Sequence, residues 1–321
     1  MTDAIKDFLK ANPKTVVLTG AGISLASGIP TYRDSTGKWQ RNDPIQHRDF
    51  VEKPASRQRY WARSYAGWPA VGLAQPNAAH LALAQLEAAG YGSLLVTQNV
   101  DRLHQRAGSQ KVIDLHGRLD RVVCLSCGEK SERARMQERI VANNHTLPSP
   151  GALAPDGDAD VPDDIISEIN VPACESCGGV LKPDVVFFGD SVPRTTVEEI
   201  FAAIDAAGAL LVIGSSLMVY SGFRFCRHAH QAGFPLACIN PGATRADDLF
   251  TLKSESGCTE QLQALAAELT GGVKLLSPKT IKTSAHVSSL LGGKRCTDRL
   301  TSRAIHTVMA KIALTERDAS H

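Results

Sequence analysis

The sequence predicts an α/β fold in which a parallel sheet is covered by helices on both faces and carries a smaller inserted module. Three observations support this. Short apolar runs alternate with stretches of helical period along most of the chain. Many of those runs end in a glycine or polar loop: Gly20, Gln98-Asn99, His116-Gly117, Gly189, Gly214-Ser215-Ser216 and Asn240-Pro241-Gly242. Two stretches, 35–75 and 120–180, interrupt the alternation and differ from it in composition.

In chain order, strands are expected at 15–19, 93–97, 111–115, 184–188, 209–213 and 235–239. Their Val/Leu/Ile-rich character suits a sheet buried on both faces. Helices are expected at 2–11, 76–89, 196–206, 222–232 and 259–269. In an open α/β sheet the ligand crevice lies at the carboxyl ends of the strands, so the polar loops should converge on one site. Residues 35–75 are rich in Trp, Arg and Tyr and read as helices with loops. Residues 120–180 hold two Cys-x-x-Cys pairs and the acidic run Pro155-Asp156-Gly157-Asp158-Ala159-Asp160, a composition typical of a flexible surface loop. Both stretches read as insertions forming the smaller module.

Composition excludes some classes. The chain is 43% hydrophobic and 21% charged, as for an ordinary globular enzyme. No apolar run approaches the roughly 20 residues that span a membrane. The start, Met1-Thr2-Asp3-Ala4-Ile5-Lys6-Asp7, reads as neither a secretory signal nor an Arg-rich transit peptide, so the default expectation is cytoplasmic. The net charge of +2 is uneven: residues 271–321 hold nine Lys/Arg and three Asp/Glu, a net of +6, which leaves −4 on the rest. A basic tail can bind nucleic acid, but a solvated tail is the favoured reading. That tail has Gly271-Gly272 and Gly292-Gly293 breaks, then a weak helical pattern at Leu300, Ala304, Val308 and Ile312.

The most specific motif is the cysteine quartet. Cys124/Cys127 and Cys174/Cys177 are two of the knuckles from which tetrahedral zinc sites are built, separated by 46 residues. Four thiolates leave no open coordination position, so the expected role is structural. Unrelated buried cysteines or a redox dithiol are the alternatives. Cys226, Cys238, Cys258 and Cys296 stand apart from the pairs.

The first strand runs into Gly20-Ala21-Gly22, where glycines let backbone approach a phosphate. A glycine turn that serves packing alone reads the same way. Arg33 and Asp34 follow, either as an anion contact or as a surface salt bridge. Thr97-Gln98-Asn99-Val100-Asp101 places amides and a carboxylate at a strand end, suited to a carboxamide or a ribose, although Asn and Asp also cap helices. His116 ends another strand and suits a general base; His104 is the competing candidate, with a setting that favours packing. Gly214-Ser215-Ser216 and Asn240-Pro241-Gly242 suit the ribose and adenine half of a nucleotide, or are ordinary turns.

Taken together, the chain resembles the sirtuin family of NAD-dependent protein deacylases. The resemblance rests on Gly20-Ala21-Gly22-Ile23-Ser24, Gly28-Ile29-Pro30-Thr31-Tyr32-Arg33-Asp34, Thr97-Gln98-Asn99-Val100-Asp101, Leu115-His116-Gly117, the cysteine quartet, Lys182-Pro183-Asp184-Val185-Val186-Phe187-Phe188-Gly189, Gly214-Ser215-Ser216 and Asn240-Pro241-Gly242. These occur in the family's order over about residues 5–270. Gln58-Arg59-Tyr60-Trp61-Ala62-Arg63, Gly67-Trp68-Pro69 and Gln75-Pro76-Asn77 look like its class II branch.

The resemblance implies a Rossmann-like domain of residues 1–34, 90–119 and 181–270, with a module of 35–89 (helical) and 120–180 (zinc-binding), followed by the tail. It implies NAD as co-substrate and one structural zinc ion. Gly20, Ala21, Gly22, Ile23 and the segment Pro30, Thr31, Tyr32, Arg33 would bind phosphates and cover the nicotinamide ribose. Gln98, Asn99, Val100 and Asp101 would hold that ribose and the carboxamide. Gly214, Ser215, Ser216, Asn240, Pro241, Gly242 and Cys258 would line the ribose and adenine end. The acyl-lysine oxygen attacks the ribose C1′ as nicotinamide leaves, and His116 acts as base on the ribose hydroxyls. Products are free lysine, nicotinamide and O-acyl-ADP-ribose. Val185, Val186, Phe187 and Phe188 would form an edge for an acyl-lysine protein or peptide. The Tyr-x-x-Arg pair of desuccinylating members has its spacing in Tyr60 and Arg63, but the register from Pro54 puts Trp61 and Ser64 there, so no succinyl preference is expected. Two other functions share the motifs: mono-ADP-ribosyl transfer to protein, and a non-catalytic NAD-sensing or nucleic-acid-binding role.

Overall fold

Consecutive β-branched and leucine residues build the frame. The strands are β1 (Val16–Thr19), β2 (Leu94–Thr97), β3 (Val112–Asp114), β4 (Gly117–Cys124), β5 (Lys130–Glu132), β6 (Leu181–Val185), β7 (Leu210–Ile213), β8 (Leu236–Ile239) and β9 (Leu252–Ser254). The computed structural model describes residues 2–32, 44–149 and 158–271. The chain divides into two units, Met1–Ile281 and Lys282–His321, and the second lies outside the described residues. The basic tail beyond Gly271, its helical pattern included, is therefore outside the description, as are Arg33 and Asp34.

A six-stranded parallel sheet has the order β3-β2-β1-β7-β8-β9. Val16 pairs with Leu94 on one side and Leu210 on the other, and Leu210 pairs with Leu236. The pleat then sorts side chains by parity. Val17, Leu95, Leu211 and Ala237 face one core, and Val16, Leu18, Leu210 and Val212 face the other.

The helices are α1 (Thr2–Ala11), α2 (His47–Glu52), α3 (Pro54–Leu73), α4 (Ala78–Ala88), α5 (Leu103–Ala107), α6 (Arg133–Asn143), α7 (Asp163–Glu168), α8 (Arg194–Ala207), α9 (Tyr220–Gln231) and α10 (Cys258–Leu269). None of them is long and apolar enough to cross a membrane. Ile5 and Leu9 of α1, Ala82 and Leu86 of α4, and Leu262 and Leu265 of α10 cover one face of the sheet. Ile200 and Ile204 of α8, with Phe225 and Ala229 of α9, cover the other. The expectation grouped 35–89 with the smaller module, but α4 packs on the large sheet because its Ala79, Ala82, Leu83 and Leu86 share a core with α10 and with Val17, Leu95 and Leu211 of the strands. Its start is fixed by a reciprocal cap: Asn77 accepts from the Ala79 N–H at 2.9 Å, and His80 Nδ1 accepts from the Asn77 N–H at 3.3 Å.

A second, antiparallel sheet has the order β5-β4-β6. This corrects the strand expected at 184–188 in the large sheet: the strand there is β6, paired with β4. An apolar run does not reveal its partner, and here Leu181 is buried against Phe50, Tyr60, Trp61, Met136 and Ile140 of the module. The buried Trp61 ties α3 to this sheet by donating Nε1–H to the Leu181 carbonyl at 3.1 Å. The described end of the acidic run also departs from a flexible surface loop. Asp158 and Ala159 are buried, with the Ala159 N–H on the Arg63 carbonyl at 3.0 Å and the Arg63 guanidinium 4.0 Å from Asp158. β9 has only three residues and no apolar run, and pattern reading gave no sign of it.

Candidate active site

The carboxyl ends of β1, β2, β7 and β8, with the residues after β3, open onto one cavity of about 1090 Å³. That is above the range of about 300–1,000 Å³ for a single small-molecule pocket, so it has room for more than one reacting partner. Its wall includes Gly20, Ala21, Gly22, Thr31, Tyr32, Gln98, Asn99, Val100, Asp101 and His116. It also includes Val185, Val186, Phe187, Phe188, Gly214, Ser215, Ser216, Asn240, Pro241, Gly242 and Cys258.

The glycines after β1 are required by close approach to the loop after β7. A Cβ on Gly20 would lie 2.7 Å from Ser215 Cβ, and one on Gly22 would lie 2.9 Å from the Gly214 carbonyl oxygen. The Gly22 N–H donates to that same oxygen at 2.9 Å. Packing is thus one real function of these glycines, and exposure of backbone to the cavity is the other. The element that follows is a 3₁₀ turn, Ala21–Ser27, rather than an α-helix.

His116 is clamped at both ring nitrogens. Nδ1 lies 2.9 Å from the Gln98 carbonyl oxygen and Nε2 lies 2.7 Å from Ser221 Oγ. A carbonyl only accepts, so the proton sits on Nδ1 and Nε2 keeps its lone pair, taking the Ser221 O–H. Burial lowers the His116 pKa; the Gln98 carbonyl opposes this, and the Arg224 charge adds to it.

Around Asp101 lies a second polar cluster. Its carboxylate accepts from Ser24 Oγ at 2.7 Å and from the Leu103 N–H at 2.9 Å. Burial raises the Asp101 pKa, and those two hydrogen bonds pull the other way. Asn99 Nδ2 donates to the Gly20 carbonyl at 3.1 Å and to Ser24 Oγ at 3.0 Å. Gln98 Nε2 donates to Ser215 Oγ at 2.7 Å, linking the β2 and β7 loops. Beneath them, His80 Nε2 lies 3.4 Å from Ser24 Oγ, and the His80 and His104 rings meet edge-on at 4.8 Å. Burial holds His80 down to about 4 and His104 well below its ordinary range. His104, the competing candidate for the base, is packed in the core against Thr19 Oγ1 at 3.0 Å.

A family description, "Sir2 family", matches residues 20–221. The chain belongs to the Sir2 family. An NAD-dependent protein deacetylase of Xanthomonas campestris is 54% identical over 268 residues, covering 82% of this chain and 90% of the relative. The bovine mitochondrial NAD-dependent protein lipoamidase sirtuin-4 is 48% identical over 262 residues, 80% of this chain and 83% of the relative. A solved Sir2 structure with p53 peptide and NAD⁺ superposes with a TM-score of 0.68 at 31% identity, covering 85% of this chain and all of that one.

In this Sir2 chain most of the expected residues meet in the one cavity. Ile23 is the exception by burial: it sits in the core below the loop. Pro30 is absent from the wall formed by Ile29, Thr31 and Tyr32. The sequence reading missed Ser24 as a site residue, and it missed His80, Ser221 and Arg224 altogether. Asn77-x-x-His80 has capping-box spacing, a usable signal for His80; Ser221 and Arg224 sit at a helix start with no distinguishing pattern.

The four knuckle cysteines come together at the end of the antiparallel sheet. Their sulfurs all lie within 4.8 Å of one another, with Cys124–Cys177 at 3.5 Å and Cys127–Cys174 at 3.8 Å. Tetrahedral zinc with Zn–S of about 2.3 Å puts sulfurs about 3.8 Å apart, so the donor set and its size fit zinc.

Proposed function

We propose that the protein is an NAD-dependent protein lysine deacylase that moves the acyl group of an acyl-lysine to ADP-ribose and releases nicotinamide. The observation that carries this reading is His116. It is a neutral imidazole with a fixed tautomer, its basic Nε2 turned to Ser221 at the wall of a cavity shared with Asn99 and Asp101.

NAD, when bound, supplies an electrophilic sugar carbon and nicotinamide as leaving group. The residues here fit it: two glycine loops present backbone, and a Gln-Asn-Asp strand end presents amide and carboxylate groups. Gly20, Ala21 and Gly22 with Gly214, Ser215 and Ser216 bind phosphates and ribose. Thr31 and Tyr32, with Arg33 beyond the described residues, cover the nicotinamide ribose. Asn99 and Asp101, braced by Ser24, orient the ribose and carboxamide. Asn240, Pro241, Gly242 and Cys258 line the adenine end. Val185, Val186, Phe187 and Phe188 offer backbone to an acyl-lysine peptide. His116 accepts a proton at Nε2 from a hydroxyl brought within reach, displacing the Ser221 hydrogen bond.

Cys124, Cys127, Cys174 and Cys177 hold one zinc ion whose closed coordination makes it structural. Residues 1–270 form the catalytic domain and 271–321 a basic appendage. Acyl transfer to ADP-ribose makes the enzyme a transferase, and we place it in the cytoplasm.

Mass spectrometry of a reaction with NAD and peptides bearing acetyl-, longer-chain or lipoyl-lysine tests this. Free-lysine peptide with O-acyl-ADP-ribose is the expected result. Nicotinamide release without acyl loss, with ADP-ribose mass appearing on protein, would replace this reading with ADP-ribosyl transfer.

A further inference from the structure

Three arginines, two from α9 and one from the loop after β8, gather around Tyr220, the first residue of α9 and part of the cavity wall. The Arg224 guanidinium lies 5.2 Å from the Tyr220 ring centroid, and those of Arg227 and Arg245 each lie 5.9 Å from it. Arg245 also stacks on Phe223 at 4.4 Å. Tyr220 is 47% exposed, and both it and Arg224 line the cavity, while Arg227 and Arg245 are exposed beside them.

Among the described residues, none of these three arginines forms an ion pair with a carboxylate. α9 contains no Asp or Glu. Asp205, which faces α9 from α8, is paired with His228 at 2.6 Å, and Asp247 is committed to Thr244 at 2.7 Å and Lys253 at 3.0 Å. Asp248 is exposed and close in sequence to Arg245, yet pairs with none of the three. The Arg245 guanidinium makes one long hydrogen bond, 3.4 Å to the Met218 carbonyl. Stacking on an aromatic ring leaves the in-plane N–H fork of a guanidinium free for a carboxylate.

We infer that this Tyr220-centred arginine cluster is a docking surface for acidic side chains flanking the acylated lysine of a protein substrate. The inference rests on the deacylase reading for the identity of the partner. Two features favour an acidic polypeptide over a phosphate of the nucleotide. Arg227 and Arg245 are exposed and are not part of the cavity wall, although the Arg245 N–H is bonded to the Ser216 carbonyl at 2.9 Å. Met218 and Val219, which precede Tyr220 in the chain, line the same cavity as Val186, Phe187 and Phe188. Exposed charge pairs of this kind act on encounter and affinity and are screened by salt.

The test measures binding and turnover in parallel on the full chain. Two acetyl-lysine peptides are compared, one with Asp/Glu flanks and one with Asn/Gln at the same positions. Fluorescence anisotropy should give about tenfold tighter binding of the acidic peptide at low salt, falling toward parity at about 0.5 M salt. Arg227→Gln with Arg245→Gln should bring the ratio near one, with the neutral peptide as reference for folding. Arg227→Glu with Arg245→Glu should invert it in favour of Lys-flanked peptides. Equal binding by the unaltered protein, or a preference that survives the double substitution, overturns the inference. So does binding of an oligonucleotide through the same arginines without any peptide preference. Turnover without preference leaves the deacylase reading standing and the surface refuted; preference without turnover does the reverse.

Discussion

His116 shows how far two hydrogen bonds can define the ring proposed as the base. With Nδ1–H held by the Gln98 carbonyl, the ring is fixed in orientation and tautomer, and burial keeps it neutral below the ordinary histidine value of about 6.5. The acid limb of the kcat/KM profile should therefore have its midpoint below that value, as a pH series will show. Ser221→Ala removes the O–H that stabilises the neutral ring, so that limb should move to higher pH; an unmoved limb would mean that Ser221 does not tune the base. His116→Ala should reduce kcat by about 10²–10⁴ at neutral pH, measured as deacylated peptide formed per unit time. Gly22→Ala puts a methyl group 2.9 Å from the Gly214 oxygen. The expected cost is about 1–3 kcal/mol, read by thermal denaturation, with a raised KM for NAD because the same loop lines the cavity.

At the scale of elements, the zinc knuckles and α4 make different demands. Cys124 and Cys174 are buried in the same cluster as Trp61, Met136 and Leu181, so the metal site and the module core form one unit. Stripping zinc with a chelator should lower the melting temperature and abolish deacylation together, with zinc restoring both; retained activity without zinc would make the quartet incidental. α4 instead brings His80 under the Asp101 cluster, beside His104. Both rings are held neutral in the fold, so the unfolded chain binds more protons below about 6.5. Stability is thus full above that pH and is lost as pH falls toward about 4, where His80 itself titrates. His80 alone contributes on the order of 3 kcal/mol to this loss. A series of melting temperatures between these limits should fall steadily for the unaltered protein and less steeply for His80→Gln.

Across the whole molecule, legibility followed the range over which each signal acts. β1, β2, β7 and β8 announce themselves because a strand buried on both faces needs an unbroken apolar run, and the loops at their carboxyl ends were readable as one site for the same topological reason. β6 was readable as a strand but not as part of the antiparallel sheet, since the partner β4 and the aromatic residues that cover it come from distant segments. Ser221 and Arg224 were invisible because their role arises only where α9 starts beside His116. Asp158 lies in a run with the composition of a surface loop, and its burial against Arg63 depends on a residue 95 positions away in the chain. One local fact ties these scales together. Only Leu115 and His116 separate β3 of the large sheet from β4 of the small one, and the His116 carbonyl accepts the Val186 N–H at 2.8 Å. The residue proposed to take the proton is thereby bonded through its own backbone to the edge proposed to grip the peptide. A peptide laid along that edge would rest one hydrogen bond away from the imidazole's own residue, so a poorly seated peptide is expected to lose rate as well as affinity.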